Sequence, residues 1–196
     1  MDAREARAAW PGALPAGEKM FVIDDYLERS LFVPIRDALE AATFPWEESQ
    51  ILSSKAATHL RPDDNLQHVH GFYLKKPGVF LRSEKLDLIR PIIERLNPVL
   101  LIKAKANRTA RKARHIEYGL HVDTSRRGAT TAIFYLNSNN GYTLFADGTK
   151  VDSVENRIVL FDAATPHTGA SCTDADARLV LNINMVLAPH VRAGGA

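Results

Sequence analysis

Cysteine is almost missing from this 196-residue chain: Cys172 stands alone. No internal disulfide can therefore staple the fold, and a reducing compartment suits it. Cys172 itself is expected to be a small filler near a loop rather than a reactive thiol. Long apolar runs are missing too, since none approaches the ~18 to 20 residues that span a bilayer. The first 20 residues are charged and include Pro11 and Pro15, unlike a secretory leader. A soluble, cytoplasmic protein with no membrane contact is expected. An excess of one charge is also lacking, with 25 Lys and Arg against 23 Asp and Glu. The molecule as a whole is not the electrostatic mate of a nucleic acid, so any basic surface must be local. Neither an internal repeat nor a low-complexity tract occurs.

What is present is 45% hydrophobic, enough for one domain with a sizeable core and too short for two. The expected organisation is a flexible arm over 1–19, a single domain over 20–190 and a flexible tail over 191–196. Met20-Phe21-Val22-Ile23 reads as a short strand. Ser30 is expected to cap a helix running to about Ala42, with Leu31, Ile35, Ala38, Leu39 and Ala42 as its buried stripe. A second helix is expected from Ser83, on Leu86, Ile89, Ile93 and Leu96, kinked or split at Pro91 and stopped by Asn97-Pro98. Thereafter short β-branched and aromatic runs alternate with turn signals at Asn139-Asn140-Gly141, Asp147-Gly148 and Glu155-Asn156. Strands are expected over 99–105, 115–120, 130–136, 142–145, 150–153, 157–161 and 178–186. The fold class is mainly β with supporting helices (α+β), a jelly roll or double-stranded β-helix with the N-terminal helices packed on one sheet.

The chemistry concentrates in His121-Val122-Asp123, followed by His167 and, eleven residues on, by Arg178. On an extended strand, positions i and i+2 point the same way, so His121 and Asp123 can address one point while Val122 faces the other layer. His167 follows the apolar run Ile158-Val159-Leu160-Phe161, and an opposing strand of a small barrel can bring it to the same place. Two imidazoles and one carboxylate hold a redox-active iron(II) while leaving three positions open. The short helical His-Glu-x-x-His spacing of many zinc hydrolases is absent. Arg178 offers a fixed charge for a co-substrate carboxylate.

These residues resemble the iron(II)- and 2-oxoglutarate-dependent oxygenases, closest to the prolyl-hydroxylase-like branch. The resemblance runs from Phe21 to Val186 and is strongest after Leu120. It makes His121, Asp123 and His167 the metal ligands. Thr131-Ala132-Ile133-Phe134-Tyr135-Leu136-Asn137 resembles the strand whose tyrosine bonds the distal carboxylate of 2-oxoglutarate, so that role falls to Tyr135, with Arg178 as its ionic partner. Gly141-Tyr142-Thr143-Leu144-Phe145 resembles a glycine-led turn and strand, and Asn156 to Asp162 the strand before the last histidine. Lys105-Ala106-Asn107 resembles a strand on which some members place an asparagine beside the co-substrate, so Asn107 joins the cofactor-binding set. The Arg- and Lys-rich segment 109–115 departs from the short apolar stretch of the family.

The resemblance implies Fe(2+), 2-oxoglutarate and O2, with ascorbate as a reductant, and hydroxylation of an unactivated C–H bond with release of succinate and CO2. Asp123 occupies the position that halogenating relatives leave vacant, which favours hydroxylation. The substrate is expected to be a small molecule or a peptidyl residue. His70, Tyr73 and Arg126 are candidate substrate contacts, with Gln67 expected on the same support strand as His70 and Tyr73. His68 with His70 has the parity of a second metal pair, but no third ligand is nearby in sequence and structural or substrate-contact roles are preferred. Lys103, Lys105, Arg108, Arg111, Lys112, Arg114 and His115 form a basic cluster that would make a positive rim. That rim motivates one alternative kept beside the first, a nucleic-acid base oxygenase or demethylase, which is not favoured; a separate alternative is a non-catalytic jelly-roll binding module that retains a metal for structure. Oligomeric state is not legible.

Overall fold

The computed structural model describes residues 20–188 apart from 54, 56 and 59; the arm expected over 1–19 and the tail over 191–196 lie outside them. Eleven strands and two α-helices are found among the described residues. An eight-stranded antiparallel sheet is built from β1 (Met20–Ile23), β2 (Glu47–Gln50), β3 (Leu66–Lys76), β4 (Val79–Arg82), β5 (Leu100–Ala110), β6 (Thr130–Tyr135), β9 (Ile158–Asp162) and β11 (Ala177–Val186). Its order is β1-β9-β6-β11-β5-β3-β2, with β4 paired to β3. A three-stranded sheet, β10-β7-β8, faces it, from β7 (Tyr142–Phe145), β8 (Lys150–Asp152) and β10 (His167–Gly169). The expected double-stranded β-helix with helices on one sheet is the architecture found.

Period-two alternation sorts the central strands between two cores. Even-numbered residues of β6 (Ala132, Phe134) and odd-numbered residues of β11 (Leu179, Leu181, Ile183) pack with Phe32, Ile35, Leu39, Ile92 and Leu96 of the helices. The opposite faces, Ile133, Tyr135, Val159, Phe161 and Val180, close on Phe145 and Val151 of the small sheet. Burying each of these large apolar side chains contributes roughly 1.5–3 kcal/mol before entropy is counted. The site lies in the open end of this second, inter-sheet layer.

Helix α1 (Arg29–Glu40) differs from expectation in phase. Glu28, not Ser30, stands at its N-cap and no side chain caps it. The buried stripe is Phe32, Ile35 and Leu39, whereas Leu31 and Ala42 are exposed. The aromatic ring is the larger apolar surface, and it sets which side of the turn faces the sheet. Pro91 neither kinks nor splits a helix. A single 3-10 turn, Leu86–Ile89, leads into α2 (Arg90–Leu96), and Pro91 sits in its first turn, where a missing amide costs little. Asn97, left-handed at φ 48°, ends α2 as expected.

Three strand expectations also change. β5 runs on to Ala110, so the start of the basic segment is sheet rather than an insertion loop. Over 115–120 no ladder forms; the segment is held by the isolated bridge Glu117 to Ala170, by hydrogen bonds between Ile116 and Ser171 and by the Tyr142 hydroxyl donating to Glu117, and His121 follows with its own bridge to His167. β2 and β4 had no sequence signal, being a polar edge and an exposed hairpin arm. No described helix is long and apolar enough to cross a membrane.

Candidate metal centre

His121 and His167 meet as an antiparallel bridge, each backbone N–H donating to the other's carbonyl at 2.9 and 3.0 Å. Their rings lie side by side with centroids 4.7 Å apart. Each Nδ1 lies near a carbonyl, that of Thr165 for His167 (3.0 Å) and that of Gly119 for His121 (3.4 Å). Those contacts turn Nε2 outward as the free lone pair, the usual support of a metal-binding imidazole. Phe161 packs edge-on against His167 at 4.7 Å, and burial pushes that imidazole below its usual pKa, which keeps the ring neutral.

Asp123 reaches the same point from the large sheet. Thr131 Oγ of β6 and Asn182 Nδ2 of β11 both donate to its Oδ2, at 2.9 and 3.0 Å. Asn184 in turn donates to Thr131 Oγ1 at 2.9 Å. Burial alone would raise this carboxyl's pKa; the Lys103 ammonium 3.7 Å from Oδ1, the Asn182 amide and the Thr131 hydroxyl hold it below the usual carboxylate range. Asp123 Oδ2 is 3.6 Å from His167 Nε2, and the donor atoms of His121, Asp123 and His167 all lie within 4.8 Å of one another. Donors that bind one ion at about 2.1 Å stand at most about 4.2 Å apart, and the exposed His121 ring has freedom to close the remainder. The donor set fits one divalent ion of the nitrogen- and oxygen-loving kind, with room for further ligands.

The extended-strand argument for His121 and Asp123 is corrected by the fold: neither lies in a regular strand, and Val122 is not in the other layer but 47% exposed. The residues converge because a bridge to β10 holds one and hydrogen bonds from β6 and β11 hold the other.

A cavity of about 410 Å³ runs from these donors to Arg178. Arg178 is 7% exposed, donates to Ser153 Oγ at 3.0 Å and Thr143 Oγ1 at 3.1 Å, and lies 5.5 Å from the Tyr135 ring centre. No carboxylate pairs with it among the described residues, and burial pushes its pKa below the ordinary value. Such a cation suits an anion from outside the chain. Tyr118, which sequence reasoning missed, lines the same cavity with a buried hydroxyl that has no hydrogen-bond partner of ordinary geometry among the described residues, and burial pushes that hydroxyl up to about 12. Its signal was only its place three residues before His121. Gly141 makes the cradle possible: a Cβ there would lie 2.7 Å from Arg178 Cδ and 2.9 Å from the Ala170 carbonyl. Gly141→Ala is expected to cost about 1–3 kcal/mol through this overpacking, read as a lower urea midpoint at unchanged slope.

Asn107 lines the cavity, as expected of a co-substrate contact. Tyr135 does not line it; its hydroxyl donates to Thr143 Oγ1 at 2.7 Å, so it supports Arg178 from behind. His70 points the other way, into the helical core, with Nδ1 2.9 Å from the Pro45 carbonyl and Nε2 3.0 Å from Ser83 Oγ. It is therefore neither substrate contact nor half of a metal pair. Tyr73 packs on Phe80 of β4, and Arg126 is exposed on the loop after Asp123; neither lines the cavity. Gln67, expected beside them on the same support strand, does line it. The basic cluster divides: Lys103 and Lys105 line the cavity, while Arg111, Arg114 and His115 are exposed elsewhere.

No protein-family model and no curated protein matches the chain. Solved structures do. A 2OG-Fe(II) oxygenase family oxidoreductase from Burkholderia pseudomallei superposes with a TM-score of 0.61 at 13% identity, covering 89% of each chain. A prolyl hydroxylase from Trichoplax adhaerens, in complex with a hypoxia inducible factor peptide fragment, gives 0.54 at 14% identity over 86% of this chain and 84% of that one. A prolyl-4-hydroxylase from Pseudomonas putida gives 0.54 at 16% identity over 87% and 94%. The chain thus has the fold of the 2-oxoglutarate- and iron(II)-dependent oxygenases, in the form that the prolyl hydroxylases share.

Proposed function

We propose that this protein is an iron(II)- and 2-oxoglutarate-dependent dioxygenase that hydroxylates an unactivated C–H bond of a small molecule or peptidyl residue. One observation carries the reading: a His, Asp, His donor cluster and an arginine buried without an acidic partner share one cavity. His121, Asp123 and His167 would hold the iron. Arg178 would pair with the distal carboxylate of 2-oxoglutarate, backed by the Tyr135 ring, while Asn107 lies nearer the donors. When bound, iron and 2-oxoglutarate supply the oxidising chemistry, in which one oxygen atom of O2 goes to succinate, with CO2 released, and the other becomes the product hydroxyl. The chain's part is position and charge. Ile133 and Val180 give the cavity an apolar wall beside these groups.

The test is direct. Protein with iron(II), ascorbate and 2-oxoglutarate is expected to form succinate slowly without substrate, and His167→Ala to lose both this and metal binding followed by calorimetry. Absent metal binding, with no succinate in the presence of any compound from a metabolite and peptide screen, would overturn the reading.

Tyr118 provides a check with opposite signs. Its unpartnered hydroxyl costs the free protein desolvation, so Tyr118→Phe is expected to leave the thermal midpoint equal or higher. The same change should weaken 2-oxoglutarate by about 1 kcal/mol, the worth of one hydrogen bond. A lower midpoint with unchanged affinity would mean that the hydroxyl serves the fold instead.

A further inference from the structure

The cavity contains a cation besides Arg178, at its donor end. β5 lines it with Lys103, Lys105, Asn107 and Thr109. In the β5–β11 ladder Thr109 is opposite Arg178, Asn107 is opposite Val180 and Lys105 is opposite Asn182. At about 3.3 Å per residue, Lys105 starts roughly 13 Å along the sheet from the Arg178 level. Asn182 bonds Asp123, so this is the level of the donor cluster. A five-carbon diacid anchored on Arg178 is exhausted on reaching the donors. Lys105 therefore stands beside the donor cluster, where a reacting C–H bond must come.

The two lysines differ in their engagement. Lys103 is paired with Asp123 at 3.7 Å. Lys105 has no hydrogen bond or ion pair among the described residues; the larger charge effect on it is that of Lys103, of like sign, against a smaller opposing one from Asp123. Burial first, and Lys103 second, push its ammonium below the ordinary lysine value. A cation held this way is costly unless an occupant brings the opposite charge. Resting on the oxygenase reading, we propose that the substrate bears an acidic group, carboxylate or phosphate, that seats on Lys105 beside Asn182 and so fixes the reacting C–H bond near the donor cluster.

The experiment uses the full chain with manganese(II) in place of iron and saturating 2-oxoglutarate, so that the Arg178 end is filled and nothing turns over. Saturation by both is measured first in every variant. Acetate, inorganic phosphate and the neutral acetamide are then titrated, and the manganese-induced relaxation of their proton or phosphorus signals reports binding beside the metal. Acetate or phosphate is expected to bind at least about tenfold more tightly than acetamide, a gap of about 1.4 kcal/mol. Lys105→Gln should remove that preference and Lys105→Arg should keep it. Which anion binds the tighter identifies the acidic group. If wild type does not take up manganese with 2-oxoglutarate, the oxygenase reading falls and this inference with it. If it does, but acetamide binds as well as the anions, or anion affinity is unmoved by Lys105→Gln, the acidic-substrate inference alone is overturned. The acetate and acetamide comparison needs only wild type, so a misfolded variant does not rescue the idea.

Discussion

Arg178→Met is expected to weaken 2-oxoglutarate binding by about 100-fold or more, while the free protein stays within about 1 kcal/mol of wild-type stability or gains. The two effects come from one cause. In the free protein, Arg178 is a buried cation whose contacts among the described residues are neutral, the hydroxyls of Ser153 and Thr143 and the Tyr135 ring. Methionine of similar reach gives up two hydrogen bonds but also removes the desolvation of a charge. With co-substrate present the balance reverses, because a diacid carboxylate would be left buried and unpaired. Arg178→Lys is expected to fall between, since an ammonium keeps the charge but not the planar fork. Calorimetric titration of 2-oxoglutarate into the manganese-loaded protein, beside thermal melts without it, separates the outcomes. Unchanged affinity together with a large loss of stability would make Arg178 a structural residue.

Much of this site was legible because its chemistry depends on residue type, which sequence carries directly. His121, Asp123, His167 and Arg178 could be singled out as a set without knowing how they meet. How they meet was not legible. The i, i+2 rule supposes a regular strand, but His121 is held by one bridge to His167, and Asp123 by hydrogen bonds from Thr131 and Asn182, which are far from it in sequence. Long-range side-chain hydrogen bonds leave no periodic trace.

Facing was the harder problem on β3 and β5. His70 and Gln67 lie three residues apart on one strand, so they take opposite faces; a choice of parity decides which enters the cavity, and composition does not make it. The histidine drew attention as a chemical group, yet Phe44 and Phe72 surround it. Lys103 and Lys105 were read with the exposed arginines as one basic rim because adjacent charges in sequence resemble a solvated face. Pairing of β5 between β3 and β11 instead turns them into the interior. In α1 the expected Ile35 and Leu39 are buried but the first-turn member of the stripe changed for a related reason: Leu31 and Phe32 both fit the helical period, and packing against Phe134 selected Phe32.

Asp123→Asn should abolish metal binding in a protein that remains folded, and the reason lies in which oxygen is already used. Thr131 and Asn182 both donate to Oδ2. An asparagine must therefore direct its carbonyl oxygen toward those two donors, since its amide nitrogen could accept from neither. That places the NH2 at the Oδ1 position, 3.7 Å from the Lys103 ammonium, donor against cation. Flipping the amide would relieve Lys103 but set the NH2 against Thr131 and Asn182. Neither orientation offers an anionic oxygen to an ion shared with His121 and His167. Affinity for manganese(II) or iron(II) is expected to fall by well over about 100-fold, beyond the ~10- to 100-fold expected when a supporting contact such as Asn182 is removed. Circular dichroism should retain the β signature, because Asp123 is a member of neither apolar core. The comparison of Asp123→Asn with Asn182→Ala, by calorimetric metal titration, is the discriminating measurement: equal, modest losses would mean that Asp123 only orients the two histidines, while the large gap expected here makes it a ligand.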